Sequence, residues 1–194
     1  MKQAIIVLSL FLTLVSCTRP KGWQHNEGFI FGTVYSITYQ YDKDLQADIE
    51  DGLRTVDEEF SMFNGESTVS RINRGDSVVS RSPMFDEVYA LAQQVHADTH
   101  GAFDITVAPL VNAWGFGFKH EQLPTAAQVD SLLQIRSQMD FAAIAKGYGC
   151  DVVARLLESK GIENYMVEIG GEVAVSGVSQ RDDSWRIGVN KPVE

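Results

Sequence analysis

The stretch FIFGTVYSITYQYDKDLQADIEDGLRTVDEEF, Phe29 to Phe60, changes its hydrophobic period part-way along. From Phe29 to Tyr41 β-branched and aromatic residues dominate. Tyr35, Ile37 and Tyr39 alternate with Val34, Ser36, Thr38 and Gln40, which is the period of a strand. Beyond it Leu45, Ile49, Leu53, Val56 and Phe60 recur at spacings of three and four, so an amphipathic helix ends near Phe60. A strand feeding directly into a helix sets the pattern for the rest. Ser61 to Asp76 is a Gly- and Ser-containing connection, and Ser82-Pro83 opens a second helix with proline at its first position, where the missing N–H costs nothing. The buried face of that helix is Phe85, Val88, Ala92 and Val95. Thr125 with Gln128 forms a capping box ahead of Val129, Leu132 and Leu133. A fourth helix follows Lys146, turns Tyr148, Val152, Leu156 and Leu157 inward, and stops at Gly161. Strands at Tyr165–Ile169, Glu172–Ser176 and Trp185–Val189 close the chain. Strands and helices are interspersed without a regular βαβ repeat, which points to the α+β class.

The chain has 194 residues, 44% of them hydrophobic and 22% charged, and a formal net charge of −10. These values describe a folded domain of ordinary size. The acidic balance argues against nucleic acid as a partner, because phosphate binding needs a basic patch. At the N-terminus Lys2 precedes the apolar run Ala4 to Val15, the length of a secretory h-region and too short to span a bilayer. Leu14-Val15-Ser16-Cys17 then resembles a bacterial lipobox in which Cys17 is acylated. Residues 1–17 are therefore expected to be a lipoprotein signal peptide and residues 18–28 a tether. Residues 29–194 are the domain, exported and held on the periplasmic side of a bacterial membrane by lipid. With Cys17 acylated, Cys150 has no disulfide partner and is expected to be a small buried hydrophobe.

Three segments are poorly explained by packing. Gly101 to Gly117, GAFDITVAPLVNAWGFG, sets one acid, Asp104, between Phe103 and Ile105. A carboxylate in that company needs a partner, either backbone amides in a structural cap or a ligand's N–H. Met139 to Gly149, MDFAAIAKGYG, runs from a strand-like end through small residues into a helix. That arrangement offers a helix N-terminus and the charge of Lys146 to a phosphate, with a plain cap at Asp140 as the structural alternative. It is not a P-loop, since the spaced glycines and the Lys-Ser/Thr pair are absent. Val167 to Val173, VEIGGEV, joins two strands at a double glycine that suits either a tight hairpin or close backbone approach.

In this order and spacing the three segments resemble the signature motifs of the ApbE family. Those motifs read approximately G-x-F-D-I-T-V-x-P-L-V-N-x-W-G-F-G, D-[FL]-G-[GA]-I-A-K-G-Y and G-G-[ED]. Phe31-Gly32-Thr33 is similar to the family's M-G-T strand. Ser61-Met62-Phe63-Asn64 with Ser67 to Asn73 resembles its S-x-Y…S-x-[IV]-S-x-[IL]-N segment. The resemblance implies an ApbE-like, T-fold-related domain of mixed or antiparallel sheets packed with helices. It implies an enzyme that takes FAD with Mg²⁺, passes FMN to a threonine hydroxyl of an acceptor flavoprotein subunit of an electron-transfer complex, and releases AMP. Two alternatives stay open: hydrolysis of FAD to FMN and AMP, and a lipid-anchored flavin-binding protein without catalysis.

Carried over by motif, Phe31 and Phe63 would flank the flavin nucleotide. Ala102, Phe103, Asp104, Asp140 and Lys146 would contact FAD, and the Ala143 carbonyl would be one Mg²⁺ ligand. The chain departs from the family at Phe31 (usually Met), Phe63 (usually Tyr) and Ala142 (usually Gly). The family also has a hairpin of roughly twenty residues where only Gln134 to Gln138 stand here. It continues beyond the position of Glu194 with the remaining Mg²⁺ ligands and the catalytic base. No catalytic side chain is therefore assigned, and a truncated domain with exposed apolar surface is expected.

Overall fold

The computed structural model describes residues 22–116, 123–135 and 137–189. The signal peptide, Cys17 and the first residues of the expected tether lie outside them. Strands β1 (Trp23–Ile30) and β2 (Thr33–Gln40) form a hairpin. Helices α1 (Gln46–Phe60), α2 (Thr68–Asn73) and α3 (Pro83–Asp98) follow. A 3-10 turn, Ile105–Val107, leads into α4 (Ala108–Ala113). Helices α5 (Ala126–Leu132) and α6 (Ala142–Ser159) precede β3 (Tyr165–Ile169) and β4 (Glu172–Ser176). The strands form one antiparallel sheet in the order β1-β2-β3-β4, so the α+β expectation holds.

The alternation in β2 resolves as expected. Tyr35, Ile37 and Tyr39 are buried and meet Tyr165, Val167 and Ile169 of β3, with Ile49 and Leu53 of α1 and Cys150, Val153 and Leu157 of α6 packed over them. A second core lies beyond the sheet, where Phe60, Phe85 and Phe141 touch at centroid separations of 5.1–5.7 Å. Helix α6 contributes to both cores, with Ala145 and Tyr148 in the second. Cys150 is buried as expected, and desolvation pushes its thiol up to about 12, which leaves it a non-nucleophilic hydrophobe. No helix among the described residues is long and apolar enough to cross a membrane.

Four expectations are corrected. The expected strand Phe29–Tyr41 is broken at Phe31-Gly32, where both residues take positive φ (52° and 73°) and make a two-residue hairpin turn. The tether expected at 18–28 does not extend over Trp23 to Gly28, which are the first residues of β1, in register from Trp23↔Gln40 to Ile30↔Thr33. Their polarity reflects a strand with one wet face, and its one buried polar residue, Asn26, is satisfied by the Tyr39 hydroxyl at 2.7 Å. Helix α6 begins at Ala142 rather than after Lys146, so Lys146 stands in its second turn. Trp185–Val189 is not a strand. It pairs with none of the described strands, and Trp185 instead packs edge-on against Trp23 and donates its indole N–H to the Ser176 carbonyl at 2.9 Å.

Other boundaries follow the local chemistry. Ser82 caps α3 through the Phe85 N–H, and the Thr125–Gln128 capping box is present. Helix α2 was not foreseen within the Ser61–Asp76 connection; Ser67 starts it by accepting from the Ser70 N–H. Helix α5 has no buried residue, and Phe116, Leu123 and Val189 are largely exposed.

The Tyr39 hydroxyl accepts from the Leu45 N–H at 2.7 Å while donating to Asn26, so one buried group ties β1, β2 and the entry to α1. Tyr39→Phe orphans both partners and should lower stability by about 1–3 kcal/mol in urea unfolding. A tether at Trp23–Gly28 would leave the Asn26 half of that cost absent.

Candidate functional site

The hairpin tip, the end of α1, the 3-10 turn and the start of α6 enclose a cavity of about 640 Å³. Its walls are mostly apolar, with Phe31, Phe60, Phe63, Phe103 and Phe116 among them. Polar side chains, Asp104, Asp140 and Lys146 among them, share the lining with these rings, as in a small-molecule site.

The first motif forms one wall. Asp104 caps the 3-10 turn, its Oδ1 accepting from the Thr106 N–H at 2.8 Å and the Thr106 hydroxyl at 2.7 Å. The structural reading of Asp104 is therefore correct, and the same carboxyl also lines the cavity. Behind it the Phe103 carbonyl lies 2.7 Å from Nδ1 of His96, which fixes the approach from α3. The second motif forms the floor. The Asp140 N–H donates to the Ile105 carbonyl at 2.7 Å, joining the first two motifs, and its side chain accepts from the Ala142 N–H at 2.7 Å. Lys146 is the only basic side chain among the described residues that line the cavity. Its ammonium donates to the Gly170 carbonyl at 3.4 Å and lies 3.9 Å from the Glu172 carboxylate. This contact brings the third motif to the site. Gly170 and Gly171 both take positive φ, and a side chain at Gly170 would strike Thr33 at 2.6 Å, so the double glycine serves the hairpin and the close approach together.

Phe31, Phe63, Phe103, Asp104, Asp140, Ala143 and Lys146 thus meet around one cavity. Ala102 does not line it. It faces a neighbouring recess of about 780 Å³ with Gln93 and His96, which the ridge of Phe103, Asp104 and Ala143 separates from the first. Sequence reasoning missed Asp57 and Asn112, each quoted only within a longer stretch. Phe31 is held in the left-handed region, a strain of order 1–3 kcal/mol for a bulky residue, which is a mark of functional positions.

Beneath the floor Tyr148 donates to Glu87 at 2.8 Å, and Arg155 lies 3.0 Å from the same carboxylate. The Tyr148 hydroxyl, and then Arg155, hold the Glu87 carboxyl below its usual range, while burial and then Glu87 raise Tyr148. This network locks α6 to α3 without entering the cavity.

Among the described residues no three His, Cys, Asp or Glu side chains group as a metal site. The cavity does offer hard oxygen donors at Asp104, Asp140, Asn64 and Asn112. That set fits Mg²⁺, which is commonly held by one or two carboxylates with phosphates and water completing its shell.

A family model described as the ApbE family matches residues 31–194. The chain belongs to the ApbE family. The FAD:protein FMN transferase of Vibrio cholerae serotype O1 is 35% identical over 224 residues, covering 99% of this chain and 66% of the relative. The transferase of that name from Haemophilus influenzae is 32% identical, covering 98% of this chain and 65% of its own length. The solved flavin transferase ApbE from Vibrio cholerae superposes with a TM-score of 0.83 at 34% identity, covering 89% of this chain and 65% of that one. The apo form of the Pseudomonas stutzeri flavinyl transferase ApbE gives 0.75 at 28% identity, covering 88% and 66%. The chain therefore spans a little under two thirds of these ApbE relatives. The Vibrio cholerae alignment is longer than the chain, so that relative carries residues inside the matched span that this chain lacks.

Gly149 of α6 backs the Phe31 ring, since a Cβ there would sit 2.9 Å from Phe31 and 3.3 Å from Ile169. Gly149→Ala gains about 1 kcal/mol of helix propensity against an overpacking cost of about 1–3 kcal/mol. Stability should fall by no more than about 2 kcal/mol in urea unfolding, and the displaced Phe31 ring should narrow the cavity in a crystal structure of the variant.

Proposed function

We propose that this chain carries the FAD-binding part of a FAD:protein FMN transferase. Supporting this is the meeting of two motifs at one aromatic-walled cavity, with Lys146 and the first turn of α6 in its lining and the third motif held to Lys146. The flavin ring system would lie among Phe31, Phe63 and Phe103, where stacking and burial favour it. The pyrophosphate would lie toward Lys146 and the α6 N-terminus, where a cation and the helix dipole act on phosphoryl oxygens. In the proposed reaction a threonine hydroxyl of an acceptor flavoprotein attacks the FMN phosphorus. The bond to the AMP phosphate breaks, AMP leaves, and the hydroxyl proton passes to a base. When bound, Mg²⁺ would neutralise the phosphoryl oxygens and the leaving group, with the Ala143 carbonyl as one ligand. Asp104 and Lys146 orient the nucleotide, and the phenyl walls exclude water.

The soluble form from residue 18, incubated with FAD, Mg²⁺ and a threonine-containing acceptor domain, should raise the acceptor's intact mass by one FMN moiety. If neither this form nor one extended to the length of the relatives transfers FMN, the proposal fails. AMP release without an acceptor would favour a pyrophosphatase instead, a reading left open by Phe63, which lines the cavity without a hydroxyl. FAD binding with neither transfer nor AMP release would leave a flavin-binding module. Asp104→Ala and Lys146→Ala should each weaken FAD binding by about tenfold in a fluorescence titration, the loss of one charge-assisted contact.

We also propose export and acylation at Cys17, on the strength of the lipobox. Labelled palmitate should enter the protein in bacterial cells and be lost in Cys17→Ser, with the variant released from the membrane fraction. Labelling of that variant would contradict the assignment.

A further inference from the structure

Helix α2 lies outside the cavity, yet its polar face touches two of the cavity's walls. Ser67, fully buried, donates its hydroxyl to the Ser61 carbonyl at 2.6 Å, and the Ser70 hydroxyl reaches the same oxygen at 3.1 Å. Ser61 in turn accepts from the Asn64 N–H at 3.2 Å, so the loop that carries Met62, Phe63 and Asn64 is held at its base. One and a half turns from Ser67, Asn73 grips the backbone that leads into the floor. Its amide donates to the Met139 carbonyl at 2.8 Å, and its carbonyl oxygen accepts from the Met139 N–H at 2.8 Å. The same amide lies 3.6 Å from the Met62 sulfur.

This two-point contact spans 66 positions of sequence and uses both ends of the carboxamide. Only a side chain with a donor and an acceptor on one planar group can make it, which is the chemistry of Asn or Gln. Its target is the residue immediately before Asp140. On the far side the Asp140 N–H is held by the Ile105 carbonyl at 2.7 Å. The backbone of Met139-Asp140 is therefore fixed from both flanks, by α2 and by the first motif.

We propose that Asn73 is a positioning residue for the nucleotide site: it sets the Met139-Asp140 backbone so that the Asp140 carboxyl faces the cavity. The proposal rests on the FAD reading of that cavity. Asn73 touches no ligand and acts through Asp140. Truncating it frees the Met139 peptide, and Asp140 then samples orientations of which few both cap α6 and face the ligand.

The test compares the wild-type chain with Asn73→Ala, Asp140→Ala, the double variant, and Ser82→Ala, which removes the α3 cap away from the site. FAD affinity is read by flavin fluorescence. Amide exchange at Met139 and Ala142 is read by NMR on the free protein. Asn73→Ala should weaken FAD by about tenfold, the size expected for loss of a positioned hydrogen bond. It should also speed exchange at Met139 and Ala142, whereas Ser82→Ala does neither. The double variant should bind FAD no more weakly than Asp140→Ala alone, because a residue that acts only through Asp140 has nothing left to position. Losses that add in the double variant, or unchanged affinity in Asn73→Ala, overturn the proposal. A wild-type chain that does not bind FAD overturns the flavin reading on which it rests, and is told apart by that measurement alone.

Discussion

The site depends on how closely α6 can approach the end of the sheet. That helix shares with α1 the role of placing buried residues in both cores, and its first turn is the floor of the cavity. At Gly149 the Phe31 ring and Ile169 reach the helix backbone, and at Gly170 the turn from β3 to β4 comes down beside Thr33 and the Lys146 stem. Two absent side chains thus let the hairpin tip, the helix and the double-glycine turn converge. The aromatic cluster of Phe60, Phe85 and Phe141 then anchors the helix start against α1 and α3. Interiors pack near crystal density, so a shift of α6 by one methyl would be felt at each of these contacts.

The cavity built on this frame combines two kinds of surface. Phenyl groups supply area without polar demand, and the polar groups sit where backbone geometry already holds them. Asp104 and Asp140 each use one oxygen on a local N–H, so their orientation is fixed by the turns they cap. Lys146 is steadied by the Gly170 carbonyl and Glu172 instead of reaching freely into solvent. Such prior orientation lowers the entropy lost when a ligand is held. The left-handed conformation of Phe31 belongs to the same scheme, because the two-residue turn aims its ring at α6 and the cavity.

Local chemistry in the sequence foretold much of this. The alternation of Tyr35, Ile37 and Tyr39, the face of α1, the caps at Ser82 and Thr125, and the strands around Gly170-Gly171 each obey rules that act over a few residues. Motif composition also marked Asp104 and Lys146, since a lone acid and a lone cation in apolar company are hard to explain by packing, whereas Phe31, Phe63, Phe103, Asp140 and Ala143 as ligand contacts came from the family resemblance. Trp23 to Gly28 misled because a half-wet edge strand looks polar, and Trp185 to Val189 because β-propensity says nothing about whether a neighbouring strand is there to pair with.

What the sequence alone determined was the α+β class, the bounds of β3 and β4, the starts of α3 and α5, the end of α1, and the residue types of the site, because capping, turn chemistry and hydrophobic period are local. Only the tertiary structure decided that Phe31 meets Gly149, that Asp140 hangs from Ile105 on one side and through Met139 from Asn73 on the other, and that Ala102 falls in the neighbouring recess. Those relations join residues tens to more than a hundred positions apart. They depend on the order in which strands pair and helices cover them, which no local rule encodes.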